Sequence, residues 1–499
     1  MKRYLSFILL ILTIFMFVAC TNDTPAEDTN KNDDINEIQK VYHNVVFAAN
    51  EGGYISGSEV QSVEDGASSK VVKAIASFGY EFVSWSDGVK DEKREIKNVN
   101  SDVTLVANFR KIIYEYPTIF INTENGKAIT SKETYLNCTI TVDDNKNPEY
   151  NLTRVEARIK GRGNSTWDKP KKPYRIKFNQ KVDLFGNGAN KDWTLIANYV
   201  DPSLIRNYLA YSTAYAFDDV PYTTSMQYAS VYVNGAYQGL YLICEQIEVG
   251  KNRVEINDDI DNQISFLLEL DKRILDEGKT EGLDYFYAEG QPYGIKAPKT
   301  DGDSFNKSEC TRIKNYIQFC IDTIKNNSYE QVTKCIDVDS FADGYIIHEL
   351  FSSIDVNFSS WYISKDKGEK VKNGPIWDFD ISAGNVDYND QARYADRLFA
   401  NTNTWYKYLL KHAEFKELVK EKLTKYYDII HMVVDEKIEE VMLYKPYFLE
   451  NFTKWKILGK YGWPNPPEIV AITTGDGQVE FVRDWLFAKL DFMMKTYCK

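Results

Sequence analysis

The chain has 499 residues, more than one hydrophobic core usually organises, so we expect two or more domains. Apolar residues make up 43% and aromatic residues 14%, a composition that excludes an intrinsically disordered chain. The net charge of −13 argues against nucleic acid and anionic lipid head groups as partners, and it leaves a divalent cation as a plausible one.

Residues 1 to 20 are predicted to be an export signal. Lys2 and Arg3 precede an apolar run, residues 4 to 17, that ends in small residues before Cys20. A basic start, a short apolar run and a small residue are typical of a secretory signal, and the run is short for a transmembrane helix. The letters FVAC resemble the bacterial lipobox, in which Cys20 is lipidated and becomes the new N-terminus. An ordinary signal peptide with an incidental cysteine is the alternative.

Two segments of different character follow the signal. Residues 21 to 42 are polar and acidic, which predicts a flexible linker. Residues 43 to 111 alternate apolar and polar positions between turn glycines, which predicts a small all-β domain. Within it GYEFVSWSDG, residues 79 to 88, resembles the internalin-B type repeat of bacterial surface proteins. The resemblance implies a spacer or adhesive module.

Residues 112 to 499 are expected to form one large α+β unit. Strands dominate to about residue 270, interrupted by a helix over residues 201 to 217 for which Asp201 is the candidate N-cap. Helices take over after residue 303. The core of this unit spans residues 115 to 400, and a C-terminal helical region spans residues 401 to 499. The layout predicts a mixed lobe followed by a helical lobe.

Cysteine and histidine spacing gives no metal or redox site. After Cys20 no two cysteines have the spacing of a zinc site or a redox pair. His348 and Glu349 open the string HELFS, which lacks the second histidine of a zincin motif. We therefore assign no metal role to either residue.

The stretch GPIWDFDISAGN, residues 374 to 385, reads as a strand with Asp378 and Asp380 on one wet face. Like charges placed side by side repel unless a cation or a shared proton holds them. A loop, a strand, a turn and a second strand are expected to bring Asp355 near Asp378, so that one carboxylate accepts a proton while the other holds a metal. Protein kinases transfer phosphate with this arrangement, and Ser360 follows Asp355 at the spacing of the kinase metal-binding asparagine. A glycosidase acid and nucleophile is the alternative, which the shared strand face disfavours.

Two further stretches are candidates for the same site. In KGRGNSTWDKPKKPYRIKF, residues 160 to 178, glycines permit the close backbone approach that phosphate loops need, and cations flank them. A solvated basic turn is the alternative. The apolar strand of residues 239 to 245 ends at Glu245, where two lobes could hinge, although a plain strand end is equally compatible.

These blocks, together with WTLIANYVDPSLIRN, VYVNGAYQGLYLICEQIEV and ISFLLELD, resemble the spore-coat-protein-H (CotH) kinase family in residues and in order. The resemblance implies an atypical protein-kinase-like, two-lobed fold that binds ATP with Mg²⁺ or Mn²⁺. It implies phosphorylation of serine or threonine in secreted or surface proteins. It places the catalytic role on Asp355. The remaining roles it implies are metal binding by Asp378, Asp380 and Ser360, and nucleotide binding by Arg162, Lys177 and Glu245.

The expected protein is thus a kinase of the bacterial cell envelope, lipid-anchored through Cys20 and exposed outside the cytoplasm. Its partners are the membrane, through that anchor, and a secreted or surface protein, with no nucleic acid. ATP is scarce outside the cytoplasm, and repeat modules of this type serve display. The alternative is therefore a surface binding or adhesion lipoprotein whose kinase-like domain is degenerate.

Overall fold

The structure is a computed structural model that describes residues 40–77, 80–111, 115–302 and 304–498. The predicted signal, Cys20 and nearly all of the predicted linker lie outside these residues. The chain divides into two compact units, Met1–Ile112 and Ile113–Lys499. In the described part of the chain, no helix combines the length and the apolar character that crossing a membrane requires.

The first unit is built from strands. A four-stranded sheet has the order β3-β1-β7-β5, and a three-stranded sheet has the order β2-β4-β6. Trp85 is fully buried at the end of β5, with its ring edge-on to Phe47 at 5.7 Å. It is a core residue of this unit. The strands are β1 (Tyr42–Ala49), β2 (Gly53–Ser56), β3 (Val60–Glu64), β4 (Val72–Ala76), β5 (Tyr80–Trp85), β6 (Lys93–Arg94) and β7 (Val103–Lys111).

The second unit begins with a closed barrel in the order β10-β11-β12-β14-β13-β8-β9. Its pairs are antiparallel except β13 with β8, which is parallel. Alternation along β11 sends Tyr174, Ile176 and Phe178 into the barrel core, so Arg175 and Lys177 lie on the outside. The strands are β8 (Thr118–Thr123), β9 (Leu136–Asp143), β10 (Leu152–Gly161), β11 (Tyr174–Val182), β12 (Asn190–Ile196), β13 (Met226–Val233) and β14 (Ala236–Glu245).

A five-stranded sheet and the helices surround a second, larger core. The sheet has the order β16-β17-β15-β18-β19, formed by β15 (Phe266–Leu270), β16 (Tyr285–Ala288), β17 (Gln291–Ala297), β18 (Trp361–Lys365) and β19 (Lys372–Asn373). The helices are α1 (Arg206–Ala214), α2 (Lys307–Asn326), α3 (Tyr329–Cys335), α4 (Val338–Phe351), α5 (Asp390–Arg393), α6 (Thr404–Leu409), α7 (Ala413–Leu443), α8 (Lys445–Lys454), α9 (Pro467–Val470) and α10 (Gly475–Tyr497). A mixed lobe followed by a helical lobe is the α+β arrangement that the sequence predicted.

Helix α1 is shorter than predicted, and the predicted N-cap is wrong. Ile205 occupies the N-cap position, and Asp201 lies four residues earlier, at the start of a turn closed by a hydrogen bond from the Leu204 N–H to the Asp201 carbonyl. The Asp201 carboxylate still satisfies the helix start, since its Oδ2 accepts a hydrogen bond from the Arg206 N–H at 2.9 Å. A side chain from outside the helix thus takes over the capping function.

The stretch GPIWDFDISAGN is not the alternating strand that the sequence suggested. Its only strand-like pairing is an isolated bridge from Ile376 to Thr223. Asp378 has φ +65° and Ala383 has φ +42°, left-handed values that a strand does not accommodate. The apolar side chains are nevertheless buried, with Phe379 stacked on His348 at 5.3 Å. Asp380 and Ser382 are buried as well, so the wet face that the sequence suggested is wrong, and only Asp378 in this segment is partly exposed.

Candidate active site

The loop between β10 and β11 depends on two glycines. A Cβ on Gly161 would lie 2.3 Å from the Trp167 ring, and one on Gly163 would lie 2.2 Å from Thr166 Oγ1. Gly163 also has φ +82°, which favours glycine. Arg162, between them, lies over the Trp377 ring at 5.6 Å. The loop therefore approaches the segment that carries Asp378.

Asp355 lies in a short 3-10 turn, Ile354–Asn357, that follows α4. Its Oδ1 accepts a hydrogen bond from Ser359 Oγ at 3.3 Å and lies 3.7 Å from Arg273 Nη2. Burial and the neighbouring Asp378 raise the pKa of Asp355 to about 7, against the opposing effect of Arg273. A carboxyl with a pKa near neutrality is suited to accept a proton during a reaction at neutral pH.

Helix α1 holds the backbone at Asp378 in place. The Asp378 N–H donates to Tyr211 Oη at 3.2 Å, and the next N–H, of Phe379, donates to Asn207 Oδ1 at 2.7 Å. Its own carboxylate accepts a hydrogen bond from Ser360 Oγ at 3.2 Å. Helix α1 thus fixes the left-handed backbone at Asp378 that aims its side chain.

Asp380 is buried beside these two carboxylates. Burial, and then the charges of Asp378 and Asp355, raise its pKa well above the ordinary value. Within the described residues its carboxylate receives no hydrogen bond, although its backbone carbonyl accepts one from Asn385 Nδ2 at 2.9 Å. A buried carboxylate without donors calls for a cation or a proton.

The carboxylates suit a divalent cation whose other ligands are phosphate oxygens and water. In the described part of the chain, no group of three or more His, Cys, Asp or Glu side chains forms a ready metal cage. Mg²⁺ seldom uses such a cage, because it is commonly bound by one or two carboxylates, phosphate oxygens and water. Asp378 and Asp380 provide those carboxylates, so the donor set suits a metal shared with phosphates.

Arg162, Asp355, Ser360, Asp378 and Asp380 all line one cavity of about 230 Å³, which we call the aspartate cavity. The structure therefore brings together five of the seven residues predicted for the nucleotide, the metal and catalysis. Cys20, predicted as the lipidation site, lies outside the described residues.

Lys177 and Glu245 do not line this cavity. Lys177 lies on the outer face of the barrel, with its Nζ 3.3 Å from Asp192 Oδ2. Glu245 is buried, pairs with Arg253, and accepts hydrogen bonds from Tyr222 Oη at 2.5 Å and the Ser225 N–H at 3.0 Å. The Lys177 side chain therefore links two barrel strands, and the Glu245 side chain is engaged in contacts at the end of β14.

Sequence reasoning missed five charged residues that line the aspartate cavity, which are Glu269, Asp271, Arg273, Glu277 and Lys296. Glu269 and Asp271 alternate at the end of β15, and Lys296 on β17 places its Nζ 2.6 Å from Glu269 Oε2. Arg273 follows Asp271 by two residues and reaches Asp355. Two carboxylates alternating at a strand end, in ISFLLELD, were the signal that could have found this group.

The matching family model describes a CotH kinase protein and covers residues 159–493. The chain belongs to the CotH kinase protein family. The matched residues include the glycine loop and every residue that lines the aspartate cavity. A second family model, the divergent InlB B-repeat domain, matches residues 43–113. No curated protein matches the chain. The CotH domain is therefore kinase-like, and the residues that surround Asp355 are its candidate functional residues.

Proposed function

We propose that this chain is an exported, lipid-anchored envelope protein whose CotH domain transfers the γ-phosphate of ATP to serine or threonine of a secreted or surface protein. The observation that carries the proposal is the convergence of Asp355, Asp378 and Asp380 beside the glycine loop. Three carboxylates with few hydrogen-bond donors, next to backbone that approaches closely, suit a metal–phosphate group and a base.

Each side chain has a separate task in this proposal. Asp355 accepts the proton of the acceptor hydroxyl as the hydroxyl oxygen bonds to the γ-phosphorus. The bond from that phosphorus to the β–γ bridging oxygen breaks, and ADP leaves with the electron pair. Asp378 and Asp380 hold the divalent cation, with Ser360 orienting Asp378 through its Oγ. When bound, Mg²⁺ or Mn²⁺ neutralises negative charge on the phosphate oxygens.

Cations for the phosphates come from the same cavity. Lys296 on β17 and Arg162 in the glycine loop both line it. Lys296 is paired with Glu269, which restrains its ammonium without removing it from the cavity. A lysine held by a glutamate and pointed at phosphates is the arrangement that kinases use, and here β15 and β17 supply it.

Nucleotide binding by the full-length chain in detergent tests this proposal directly. Isothermal titration with ATP and Mn²⁺, repeated with Mg²⁺, is expected to show metal-dependent binding, and radiolabelled ATP is expected to label casein or the chain itself. Asp378→Asn is the matched variant that should lose the metal dependence. Absence of nucleotide binding by the wild-type chain contradicts the kinase proposal.

A binding or adhesion lipoprotein with an inactive kinase-like domain is the second proposal. The match of residues 43–113 to a divergent InlB B-repeat domain favours it, because repeats of this type serve to display a protein at the surface. It predicts surface exposure and partner binding that persist in Asp355→Asn and Asp378→Asn chains. Measurable phosphate transfer that both variants lose decides for the kinase.

A further inference from the structure

A second and larger cavity, of about 700 Å³, adjoins the aspartate cavity. The two cavities share Ser165, Arg273, Asp355 and Ile381 in their linings. We call it the aromatic cavity because Phe358, Phe399, Tyr388 and Trp463 line it. Asp355 therefore stands at the junction between two spaces.

The two cavities are lined by largely different residues, so we expect one to hold the ATP phosphates and the other to hold the acceptor. The glycine loop, Asp378, Asp380 and Lys296 line the aspartate cavity, and none of these aspartates or Lys296 lines the aromatic cavity. In phosphoryl transfer the acceptor oxygen and the leaving oxygen lie roughly in line on opposite sides of phosphorus. With ATP phosphates in the aspartate cavity, the acceptor reaches Asp355 through the aromatic cavity.

The charged side chains of the aromatic cavity are cationic apart from Asp355. They are Lys272 and Arg273, in the 3-10 turn Lys272–Asp276 that follows β15. Arg273 contacts Asp355, but the ammonium of Lys272 has no ion pair or hydrogen bond within the described residues. Lys169 adds a third cation at the rim, with its Nζ 5.7 Å from the centre of the Trp463 ring. Such a cluster in a chain of net charge −13 favours an acidic ligand.

One wall of the aromatic cavity is a pair of exposed, stacked rings. Tyr388 and Trp463 have centroids 5.7 Å apart and planes inclined by 7°, and the residues are 54% and 42% exposed. Phe358, 43% exposed, lies beneath the Arg273 guanidinium at 5.0 Å. The rings supply apolar contact area to an extended chain and carry no positive charge, so selection of acidic residues falls to the cations. A volume of about 700 Å³ accommodates several residues rather than one side chain.

We propose that the aromatic cavity is the acceptor site and that it selects a serine or threonine within an extended, acidic protein segment. The inference rests on the proposed kinase function and adds the class of acceptor. Lys272, Arg273 and Lys169 pair with carboxylates flanking the acceptor hydroxyl, and Tyr388 and Trp463 hold the chain beside Asp355. The amides of Gln291 and Gln391, which also line the cavity, are available for the peptide backbone.

The chain itself offers a suitable probe. Residues 21 to 40 contain Thr21, Thr24 and Thr29 among aspartates and glutamates. A synthetic peptide of this sequence is compared with one in which every aspartate and glutamate is replaced by asparagine or glutamine. A degenerate library of peptides centred on serine or threonine gives the preference at each flanking position independently of this one sequence.

The full-length chain, with ATP and Mn²⁺, is expected to phosphorylate the acidic peptide with kcat/KM roughly tenfold above the neutral peptide, a modest electrostatic effect for partly exposed charges. The library is expected to enrich acidic residues beside the acceptor. Lys272→Glu should abolish the preference through KM while leaving ATP affinity unchanged. Lys314→Glu, the same change on an exposed lysine of α2 outside both cavities, should leave the preference intact.

Any one of four results overturns the inference. Equal rates on the acidic and neutral peptides, or enrichment of basic residues in the library, contradict the charge selection while the kinase function stands. Loss of ATP affinity in Trp463→Ala, with acceptor KM unchanged, assigns the aromatic cavity to the nucleotide base instead. A wild-type chain that binds no ATP removes the kinase function and the acceptor site together.

Discussion

Lys296 Nζ lies 2.6 Å from Glu269 Oε2, and this ion pair joins β17 to β15 at the edge of the aspartate cavity. The other oxygen of Glu269 accepts a hydrogen bond from the backbone N–H of Ser360 at 3.0 Å. Ser360 in turn donates from its Oγ to Asp378. A continuous set of contacts therefore connects the lysine to the aspartate proposed to hold the metal.

Lys296→Met is expected to weaken ATP binding about 10- to 100-fold, because a hydrogen bond to a charged group contributes about 1.5–3 kcal/mol. Methionine keeps the length and the apolar stem of lysine and removes only the ammonium. Isothermal titration with ATP and Mn²⁺ measures the change. Lys177→Met is the matched control, since Lys177 lies outside the cavity and pairs with Asp192. Equal losses in the two variants, or a loss confined to Lys177→Met, would show that Lys296 is not the phosphate cation.

Asp378→Asn and Asp355→Asn are expected to have different effects, because their proposed tasks differ. Loss of the metal ligand should weaken metal-dependent ATP binding as well as transfer. Loss of the base should leave ATP affinity near that of the wild type and lower transfer by roughly 10²–10⁴-fold, the usual contribution of a positioned base. Parallel titration and radiolabel assays measure both quantities. Identical behaviour of the two variants in both assays would mean that the roles are assigned wrongly.

Much of this site could be predicted from short, ordered blocks of sequence. Arg162, Asp355, Ser360, Asp378 and Asp380 all line one cavity, as their motifs suggested. The glycine loop could be predicted from its two glycines. The structure shows why glycine is needed there, since a Cβ would meet Trp167 or Thr166. Site residues of this kind can be predicted because each belongs to a short motif of neighbouring residues.

Contacts between distant strands could not be predicted in the same way. The partner of Lys177 proved to be Asp192 on β12, and the lysine in the cavity proved to be Lys296 on β17. Which lysine enters a cavity depends on the face and register of its strand, and a shift of one residue reverses that face. The backbone of Asp378 also escaped prediction, because its left-handed conformation is held by Asn207 and Tyr211 on α1.

Cys20→Ala is expected to release the chain from membranes if Cys20 carries the lipid. A single acyl chain binds membranes only weakly, so stable anchoring requires the multiple acylation of a lipoprotein cysteine. Fractionation of cells into membrane and soluble protein, with detection of the chain in each, measures the release. Cys498→Ala, which removes a cysteine at the other end of the sequence, serves as the control. Equal membrane retention of the Cys20→Ala chain argues for a different attachment.

Arg206→Met is expected to lower the free energy of unfolding by about 3–5 kcal/mol, the usual effect of leaving a buried charge unpaired. Arg206 and Asp201 are fully buried, with Nη1 and Oδ1 2.5 Å apart. Arg206 also donates to the carbonyl oxygens of Ser382 at 2.9 Å and Ala383 at 3.2 Å, just after the two aspartates proposed to hold the metal. Urea unfolding measures the loss. The exposed Arg158→Met should change stability by less than about 0.5 kcal/mol.

Asp355→Asn is expected to stabilise the nucleotide-free chain in a pH-dependent way. The pKa of Asp355 is raised to about 7 by burial and by Asp378, whereas an unfolded aspartate has a pKa of about 3.9. Between these two pH values the folded state binds more protons than the unfolded state, so this residue lowers the stability of the fold as the pH rises. Below about pH 4 both states are protonated and the penalty is absent, and above about pH 7 it is complete.

Asparagine cannot ionise, so the variant escapes the penalty. Thermal or urea unfolding should show little difference between wild type and Asp355→Asn near pH 4 and a growing advantage of the variant up to pH 8. Each unit between the folded and unfolded pKa values corresponds to about 1.4 kcal/mol, so the advantage at pH 8 should reach a few kcal/mol. Asp428→Asn, on the exposed face of α7, should show no such trend. Saturating ATP and Mn²⁺ should raise the stability of both proteins by a similar amount, because ligands that bind only the folded state stabilise it and Asp355→Asn keeps an ATP affinity near that of the wild type. A variant that is less stable than wild type at pH 8 would show that Asp355 is a structural carboxylate rather than one held ready for a proton.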